Sequence, residues 1–209
     1  MNVTLLNYTP LNICSNAIRT CWQSFDKSDN GGERDLELID RVGNKYKHSS
    51  TLEHLYYNFY IKGISRACLQ ELSRHRMASL SVKSSRYTLK ELKYEKPFIP
   101  INQENIERSK KFIVFIDDEL VDNASINALE NLRNILSINK SNDIAKYCMP
   151  ESYKTELTWS INARSLQNFI SLRSSKSALK EIRELSILIF HNLPNEHKFI
   201  FKEYINSVD

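Results

Sequence analysis

The sequence predicts a helix-rich α+β fold in a single domain of residues 1–209, built around a small, mainly antiparallel sheet. Apolar residues recur at helical spacing over most of the chain, whereas strict alternation is confined to two short segments. Those two segments do not alternate regularly with helices along the chain, which disfavours a doubly wound parallel sheet. A length of 209 residues, 41% of them hydrophobic, suits one domain with a sizeable core.

The first half of the chain contains one clear strand and the helix that follows it. An N-terminal helix is predicted to lead through the polar, glycine-containing loop Asp26–Glu33 into a second helix. His54–Lys62 alternates apolar and polar residues, which predicts a strand that Gly63 ends. From Ile64 to Arg74 the apolar spacing becomes helical, so we expect a strand that feeds an amphipathic helix.

Helical spacing returns in the second half of the chain and is interrupted once, by the alternating segment Thr155–Ile161, which predicts a second strand. Pro194 separates the last two helical segments. The predicted helical segments are Glu104–Leu120, Ser125–Ile138, a short one started by Ser141 and Asp143, Asn162–Arg173, Ala178–Phe190 and Glu196–Ile205.

Glycine is scarce, which limits how this chain could hold a phosphate. Average usage is about 7%, so a chain of this length would carry about fifteen glycines. It has four: Gly31, Gly32, Gly43 and Gly63. Neither G-x-G-x-x-G nor G-x-x-x-x-G-K-[ST] can be written, which excludes a Rossmann pyrophosphate loop and a Walker loop. Any phosphate must be held by side chains or by helix N-termini.

Charge and hydropathy set mild limits on partners and location. Lys and Arg number 29 against 25 Asp and Glu, and the net charge of +4 suits anionic ligands without indicating nucleic acid. No apolar run approaches the roughly 20 residues of a membrane span, and the first residues lack the basic start and long apolar region of a signal peptide. We therefore expect a cytoplasmic protein without a membrane partner.

The cysteines and histidines show no metal-ligand spacing. His48 and His54 are six residues apart and cannot share a helix face as zinc ligands do. We expect His191 and His197 at the surface. No C-x-x-C pair occurs, so we expect neither a metal site nor disulfides, but buried free thiols at Cys14, Cys21, Cys68 and Cys148.

The segment Ser73–Tyr87 is the densest in chemical groups. Its basic residues and serines are Arg74, His75, Arg76, Lys83, Arg86, Ser79, Ser81, Ser84 and Ser85. Arginine offers a planar fork that grips phosphate, and serine hydroxyls are short donors that fit around the same oxygens. A solvated basic surface loop is the alternative. The position after a strand and a helix favours a site held by the scaffold.

Two predicted helices carry further candidates. Glu71 and Arg74 are three residues apart, so they form either an ordinary helix-surface pair or part of the same site. Arg173 ends an apolar stripe, where it either snorkels to solvent or meets an anionic or carbonyl partner. The stripe is Leu166, Phe169 and Ile170, with Arg164 and Asn168 forming a polar stripe on the opposite side of the helix.

These motifs resemble those of a known enzyme family. Arg74-His-Arg76, seven further residues and then Ser84-Ser-Arg-Tyr87 is similar to the R-H-R-x7-S signature of flavin-dependent thymidylate synthases. The resemblance also covers His48 and Glu53-His54, and the run from Asn162 to Arg173. It extends over most of residues 48–190.

The resemblance implies an activity and an assembly. Members make thymidylate from deoxyuridylate (dUMP), with methylenetetrahydrofolate giving the carbon and NADPH giving reducing equivalents through bound FAD. They are homotetramers whose active sites are assembled from several subunits, and they act on small molecules rather than on nucleic acid.

The resemblance also assigns residues. It implies that dUMP is held by Arg66, Glu71, Arg74, Ser84, Ser85, Arg86, Lys146 and Arg173. It places Ser50, Arg74, His75, Arg76, Asn162, Arg164 and Asn168 around FAD. Arg173 is the implied catalytic residue, which favours ionisation at uracil N3 because an arginine in a shielded setting stabilises developing negative charge. Many members have Arg where Lys146 stands; Lys146 keeps the positive charge but lacks the fork.

Cysteine catalysis is disfavoured because none of the four cysteines lies in these motifs. Ser84 is expected to bind phosphate or sugar rather than to act as a nucleophile, since its neighbours are cations. Two other functions fit the sequence. One is a nucleic-acid-binding module that uses Arg74, Arg76, Lys83 and Arg86 on phosphates. The other is a helical scaffold protein with an incidental basic loop.

Overall fold

The computed structural model describes residues 1–205, and residues 206–209, the end of the predicted single domain, lie outside the described part. The fold is helix-rich α+β with a small antiparallel sheet of four strands, as predicted. The chain forms two compact units. The first consists of Met1–Ile61, Leu72–Ser81 and the chain from Thr158 onward, and the second of Lys62–Glu71 and Val82–Leu157. The single functional domain stays a prediction.

The sheet has the strand order β1-β2-β4-β3. Its two inner strands are antiparallel: the N–H of Ala163 donates to the carbonyl of Leu55 at 2.8 Å, and the N–H of Arg66 donates to that of Tyr153 at 3.0 Å. The strands are β1 (Asn2–Tyr8), β2 (Tyr56–Ser65), β3 (Ala78–Val82) and β4 (Lys154–Asn162).

The two inner strands are the ones that alternation predicted, whereas both outer strands were missed. In β1 only Val3 is buried, and β3 has no buried residue, so neither edge strand carries the alternation of a half-buried strand. Gly63 does not end β2, which continues to Ser65. It takes a φ of +78°, a backbone conformation that glycine adopts without strain, and so lets the strand pass through this point.

Ten α-helices lie in residues 1–205: α1 (Leu11–Thr20), α2 (Glu33–Ile39), α3 (Arg66–Ser73), α4 (Ser85–Thr88), α5 (Lys90–Lys93), α6 (Gln103–Ser109), α7 (Glu119–Ser137), α8 (Asn142–Ala145), α9 (Ala163–Arg173) and α10 (Lys180–His191). A π-helical segment, Asp40–Lys45, follows α2. Short 3-10 segments occur at Phe25–Lys27, Ser49–His54, Lys146–Cys148 and Asn195–Ile200.

Three predicted helical segments differ from the structure by more than two residues. The helix predicted over Glu104–Leu120 ends at Ser109, because Ile113 forms a β-bridge with Tyr153 and Asp117 takes a φ of +66°. Helix α7 then begins earlier than predicted, since the Asp118 carboxylate accepts a hydrogen bond from the N–H of Val121 at 3.1 Å and caps it. Glu196–Ile205, predicted as a helix, is a 3-10 segment followed by turns.

The core of the first unit follows from the alternation in the inner strands. Tyr57 and Phe59 of β2 and Trp159 of β4 are completely buried, and so is Phe169 of α9. The Trp159 ring lies 6.3 Å from that of Phe59 and 5.0 Å from that of Phe169. These aromatic contacts fix α9 against one face of the sheet.

The second unit has its own core around α7. Four residues of α7 at helical spacing, Ile126, Leu129, Leu132 and Leu136, are buried, as the apolar pattern predicts. They pack with Leu89, Leu92, Phe98, Ile113 and Ala145. Each unit therefore buries an apolar cluster within itself.

A buried carboxylate ties together the N-terminal elements of the first unit. Asp35 of α2 accepts hydrogen bonds from Arg19 of α1, at 2.6 Å from Nη2 and 3.0 Å from Nε. It also accepts from the hydroxyls of Ser15 and Ser28 and from the N–H of Gly31. Burial alone would raise the pKa of Asp35, but these hydrogen bonds lower it to about 2. The loop predicted at residues 26–33 is thus held between α1 and α2.

The cysteine predictions are confirmed in part. All four thiols are free, and Cys14 and Cys68 are buried as predicted. Cys21 and Cys148 are exposed, so the prediction of burial is wrong for them. Cys21 follows the end of α1, and Cys148 ends a short 3-10 segment, where neither side chain faces a core. Burial raises the pKa of the Cys14 thiol to about 12.

The prediction that His197 lies at the surface is wrong. His197 is 1% exposed, and its Nδ1 lies 2.8 Å from the hydroxyl of Tyr57. The Asn195–Ile200 segment turns its ring inward, edge-on to the rings of Tyr8 and Tyr57. Burial lowers the pKa of His197 to about 4, because a charged imidazole is disfavoured there. His191 is exposed, as predicted.

We expect the buried imidazole of His197 to make stability depend on pH. The ordinary pKa of histidine is about 6.5, so between pH 6.5 and pH 4 the unfolded chain binds more protons than the folded chain. Stability should therefore fall as the pH drops, by about 2 kcal/mol between pH 7 and pH 5 from this group. Urea unfolding at both pH values would measure the loss. His197→Gln should remove it and His191→Gln should keep it, and an unchanged pH slope in His197→Gln would refute the assignment.

Candidate active site

The junction between β4 and α9 positions the first group of candidate residues. Asn162 ends β4 and caps α9, because its Oδ1 accepts a hydrogen bond from the N–H of Ser165 at 2.8 Å. The cap sets the helix so that Arg164 and Asn168, four residues apart, share its exposed side. The apolar stripe of α9 is buried, so both stripes predicted for this helix are confirmed.

Arg173, the last residue of α9, is half-buried and has a defined partner. Its Nε donates a hydrogen bond to Nε2 of His75 at 3.1 Å. The His75 ring in turn lies edge-on to Phe169, with ring centroids 5.0 Å apart. An arginine at the end of an apolar stripe is therefore held by a histidine from the segment after α3.

A pocket of about 630 Å³ in the first unit, here called the α9 pocket, gathers most of the residues predicted for FAD. These are Arg74, His75, Arg76, Asn162, Arg164 and Asn168. Ser50 does not line this pocket; it is exposed on the 3-10 segment Ser49–His54. Arg173, Glu53, Ser165, Met77 and Leu172 complete the lining.

The α9 pocket is strongly cationic. Four arginines line it against one carboxylate, that of Glu53, which leaves an excess of three positive charges (4 − 1 = 3). Glu53 Oε1 lies 2.6 Å from Nη1 of Arg164, so one guanidinium is oriented by an ion pair at the pocket surface. One guanidinium group can donate to two phosphate oxygens at once, so this lining suits a ligand with several negatively charged oxygens.

A smaller pocket of about 380 Å³ in the second unit, here called the α8 pocket, gathers three residues predicted for dUMP. Arg66 begins α3, Ser85 begins α4, and Lys146 follows α8. Tyr147 and Met149 complete the lining. Two cations and a hydroxyl at one pocket suit a phosphate monoester.

Other residues predicted for dUMP have different surroundings. Arg86 pairs with Asp143, with Nε 2.9 Å from Oδ1, and its backbone carbonyl accepts from the Asn142 side chain. Ser84 precedes α4 and is exposed, and Glu71 is half-buried on α3. These three residues do not line the α8 pocket, while Arg74 and Arg173 line the α9 pocket.

The sequence reasoning missed two residues that line these pockets. Glu53 belongs to the H-x-x-x-x-E-H element, for which the sequence predicts no role. The feature that could have identified it is its negative charge, because the other motifs are rich in arginine. Tyr147 directly follows Lys146 and is 86% exposed, which is unusual for an aromatic residue. Its place next to a predicted phosphate ligand is the signal that could have found it.

Neither a metal cluster nor a membrane span is found in the described chain. Within residues 1–205 no three His, Cys, Asp or Glu side chains are grouped closely enough to hold a metal ion. In the same residues no helix is long and apolar enough to cross a membrane.

Comparison with known proteins identifies relatives over nearly the whole chain. A family model described as thymidylate synthase complementing protein matches residues 4–197. The flavin-dependent thymidylate synthase of Wolinella succinogenes is 66% identical over 201 residues, which are 96% of this chain and 97% of that protein. The enzyme of the same name from Helicobacter pylori strain 26695 is 64% identical over 204 residues, 97% of this chain and 98% of that protein.

The fold agrees with a solved structure of the same kind. A crystal structure of the flavin-dependent thymidylate synthase of Helicobacter pylori, complexed with FAD and dUMP, has a TM-score of 0.95 to this chain at 63% identity. The match covers 99% of this chain and 100% of that one. The protein is therefore an enzyme. The chain belongs to the flavin-dependent thymidylate synthase family.

Proposed function

We propose that this enzyme methylates dUMP reductively to dTMP, with 5,10-methylenetetrahydrofolate as the carbon donor and NADPH as the reductant, acting through FAD. The α9 pocket carries the proposal, because it gathers six of the seven residues that the family resemblance assigns to FAD, all except Ser50. The Helicobacter pylori relative, 63% identical, was crystallised with FAD and dUMP. Its ligands support the same pair here.

The side chains of the α9 pocket fit FAD. A dinucleotide carries a pyrophosphate, and this chain has no glycine-rich loop to hold one. Arg74, Arg76 and Arg164 supply the cationic forks that such a group requires, and Asn168 supplies an amide. When bound, FAD supplies redox chemistry that protein side chains lack.

The α8 pocket supplies the phosphate end of the proposed dUMP site. Arg66 offers a bidentate fork, Lys146 a point charge and Ser85 a hydroxyl donor. Glu71, Ser84 and Arg86 are proposed as further ligands, and Glu71 would accept from a base N–H or a sugar hydroxyl, which the cations cannot do. Arg86 would share its charge between dUMP and Asp143.

Arg173 is proposed as the catalytic residue. A uracil ring that is to react at C5 accumulates negative charge, and a half-buried guanidinium stabilises that charge more than an exposed one would. None of the four cysteines, all in the described part of the chain, lines either pocket. The proposal therefore assigns activation of the ring to Arg173 rather than to a thiolate.

The proposal includes a cytoplasmic homotetramer in which each chain acts as one domain and several chains contribute to each active site. Large apolar side chains at the surface support an assembly, since burial of such side chains at a contact between subunits is favourable. Trp22, Leu120 and Tyr147 are each more than four-fifths exposed.

Purified protein should be yellow and should form dTMP from dUMP when methylenetetrahydrofolate and NADPH are supplied. Arg164→Ala should weaken FAD binding about 10- to 100-fold, because a charge-assisted hydrogen bond contributes about 1.5–3 kcal/mol. Arg34→Ala is the matched control, since Arg34 is exposed on α2 and lines neither pocket. FAD titration followed by absorbance measures both variants. Colourless protein with steeply salt-dependent DNA binding would replace this proposal with the nucleic-acid-binding function.

A further inference from the structure

We propose that His75 is a positioning residue that holds the guanidinium of Arg173 in the orientation that uracil requires. The inference rests on the proposed function, in which Arg173 faces the substrate. The family resemblance places His75 beside FAD, whereas the hydrogen bond that His75 accepts in the α9 pocket gives it a second partner. That partner is the proposed catalytic residue itself.

The hydrogen bond between Arg173 and His75 has a defined donor and a defined acceptor. Arginine Nε always carries a proton and can only donate, so Nε2 of His75 is the acceptor at 3.1 Å. An imidazole that accepts at Nε2 carries its proton on Nδ1. The contact therefore selects one neutral tautomer of His75.

The His75 ring is itself fixed by the core. It lies edge-on to Phe169, with an interplanar angle of 81° and 5.0 Å between centroids. Phe169 is completely buried and packs edge-on against Trp159. Because Phe169 and Arg173 are one helical turn apart on α9, a single ring contacts both. The acceptor is thus anchored to a rigid aromatic cluster.

Fixing Nε has a consequence for the rest of the guanidinium. The group is planar, so a hydrogen bond at Nε sets the orientation of the edge formed by Nη1 and Nη2. That edge has the shape to meet a planar base, and a misplacement of about 1 Å in a catalytic group can cost about 100-fold in rate. Loss of the His75 acceptor should therefore lower the rate of the reaction more than it weakens the binding of dUMP.

Two variants of His75 distinguish the effect of its hydrogen-bond acceptor from the effect of its aromatic ring. His75→Phe keeps an aromatic ring against Phe169 but removes the acceptor, and His75→Gln keeps an acceptor at a similar distance from the backbone. With FAD added to saturation, so that any weaker FAD binding is offset, we expect His75→Phe to lower kcat for dTMP formation about 10- to 100-fold, with a small change in KM for dUMP. His75→Gln should restore most of kcat. Wild-type kcat in His75→Phe, or loss of FAD that accounts for the whole effect, would overturn the inference.

A double-variant cycle tests whether His75 acts through Arg173. In an Arg173→Ala background, His75→Phe should have no further effect on kcat, because the group that it positions is gone. A full additional loss would show that His75 acts independently and would overturn the inference.

A ligand-free measurement separates this inference from the proposed function. Nitrogen-15 NMR of the wild-type protein should show His75 protonated at Nδ1, and Arg173→Ala should shift its Nε2 signal. If the Nε2 signal of His75 does not change in Arg173→Ala, the hydrogen bond between the two residues is refuted, and the inference with it. If the contact is seen but wild-type protein makes no dTMP, the proposed function is the part that fails.

Discussion

Replacing Arg173 with alanine is expected to lower the rate of dTMP formation by about 100- to 1000-fold while the protein remains folded. This is the size of the loss when one preorganised donor to a developing negative charge is removed, about 3–4 kcal/mol of transition-state stabilisation. The stability cost should be about 1 kcal/mol or less, because the side chain is half-buried at the end of α9.

The measurement is kcat and KM for dUMP in protein loaded with FAD, together with a urea unfolding curve. Arg183→Ala is a matched control, because Arg183 is a half-buried arginine on α10 that donates to the carbonyl of Lys176 at 3.1 Å and lines neither pocket. The control should keep wild-type turnover. Turnover near the wild-type rate in Arg173→Ala would remove Arg173 from the catalytic role.

Replacing Asp35 with alanine is expected to destabilise the protein by about 3–5 kcal/mol, the usual cost of removing one partner of a buried ion pair. Arg19 is 5% exposed, so its charge would be left buried without the carboxylate. The hydroxyls of Ser15 and Ser28 and the N–H of Gly31 would lose the same acceptor. Helix α2 and the loop before it should loosen together.

Urea unfolding measures this loss, with Asp26→Ala as the control. Asp26 is an exposed aspartate at the start of the same loop, and its removal should change stability by about 0.5 kcal/mol or less. The pKa of Asp35, lowered to about 2, predicts a further difference between the two. The stabilisation that the Asp35 carboxylate provides is complete above the pKa that it has in the unfolded chain, and it is lost as the pH drops toward 2. Acid should therefore reduce the difference in free energy of unfolding between wild type and Asp35→Ala. A loss no larger than that of the control would refute the structural role.

The sequence determined the elements whose signals are local. Alternation located β2 and β4, and helical spacing located α9 and most of α7, because each pattern reflects burial on one face of a single element. Edge strands have little burial on either face, which is why β1 and β3 left no comparable pattern. The scarcity of glycine excluded two phosphate-binding loops without any knowledge of the fold.

The residues of the candidate site were predictable where they belong to sequence motifs of the family. Six residues assigned to FAD by resemblance line the α9 pocket, and three assigned to dUMP line the α8 pocket. Their roles stay predictions. Ser50 lies outside the α9 pocket, because a motif position specifies a residue type and not its surroundings in the folded chain.

What the tertiary structure alone decided are the pairings between distant residues. Glu53 meets Arg164 across 111 positions, and His75 meets Arg173 across 98. His197 is buried against Tyr57, 140 positions away, although the sequence predicted it at the surface of a helical segment. Periodicity carries information on which face of an element is apolar, but it carries none on which other element will cover that face. Such contacts depend on how the sheet and α9 bring separate segments together, so the partners of Arg173 and Arg164 became visible only in the folded chain.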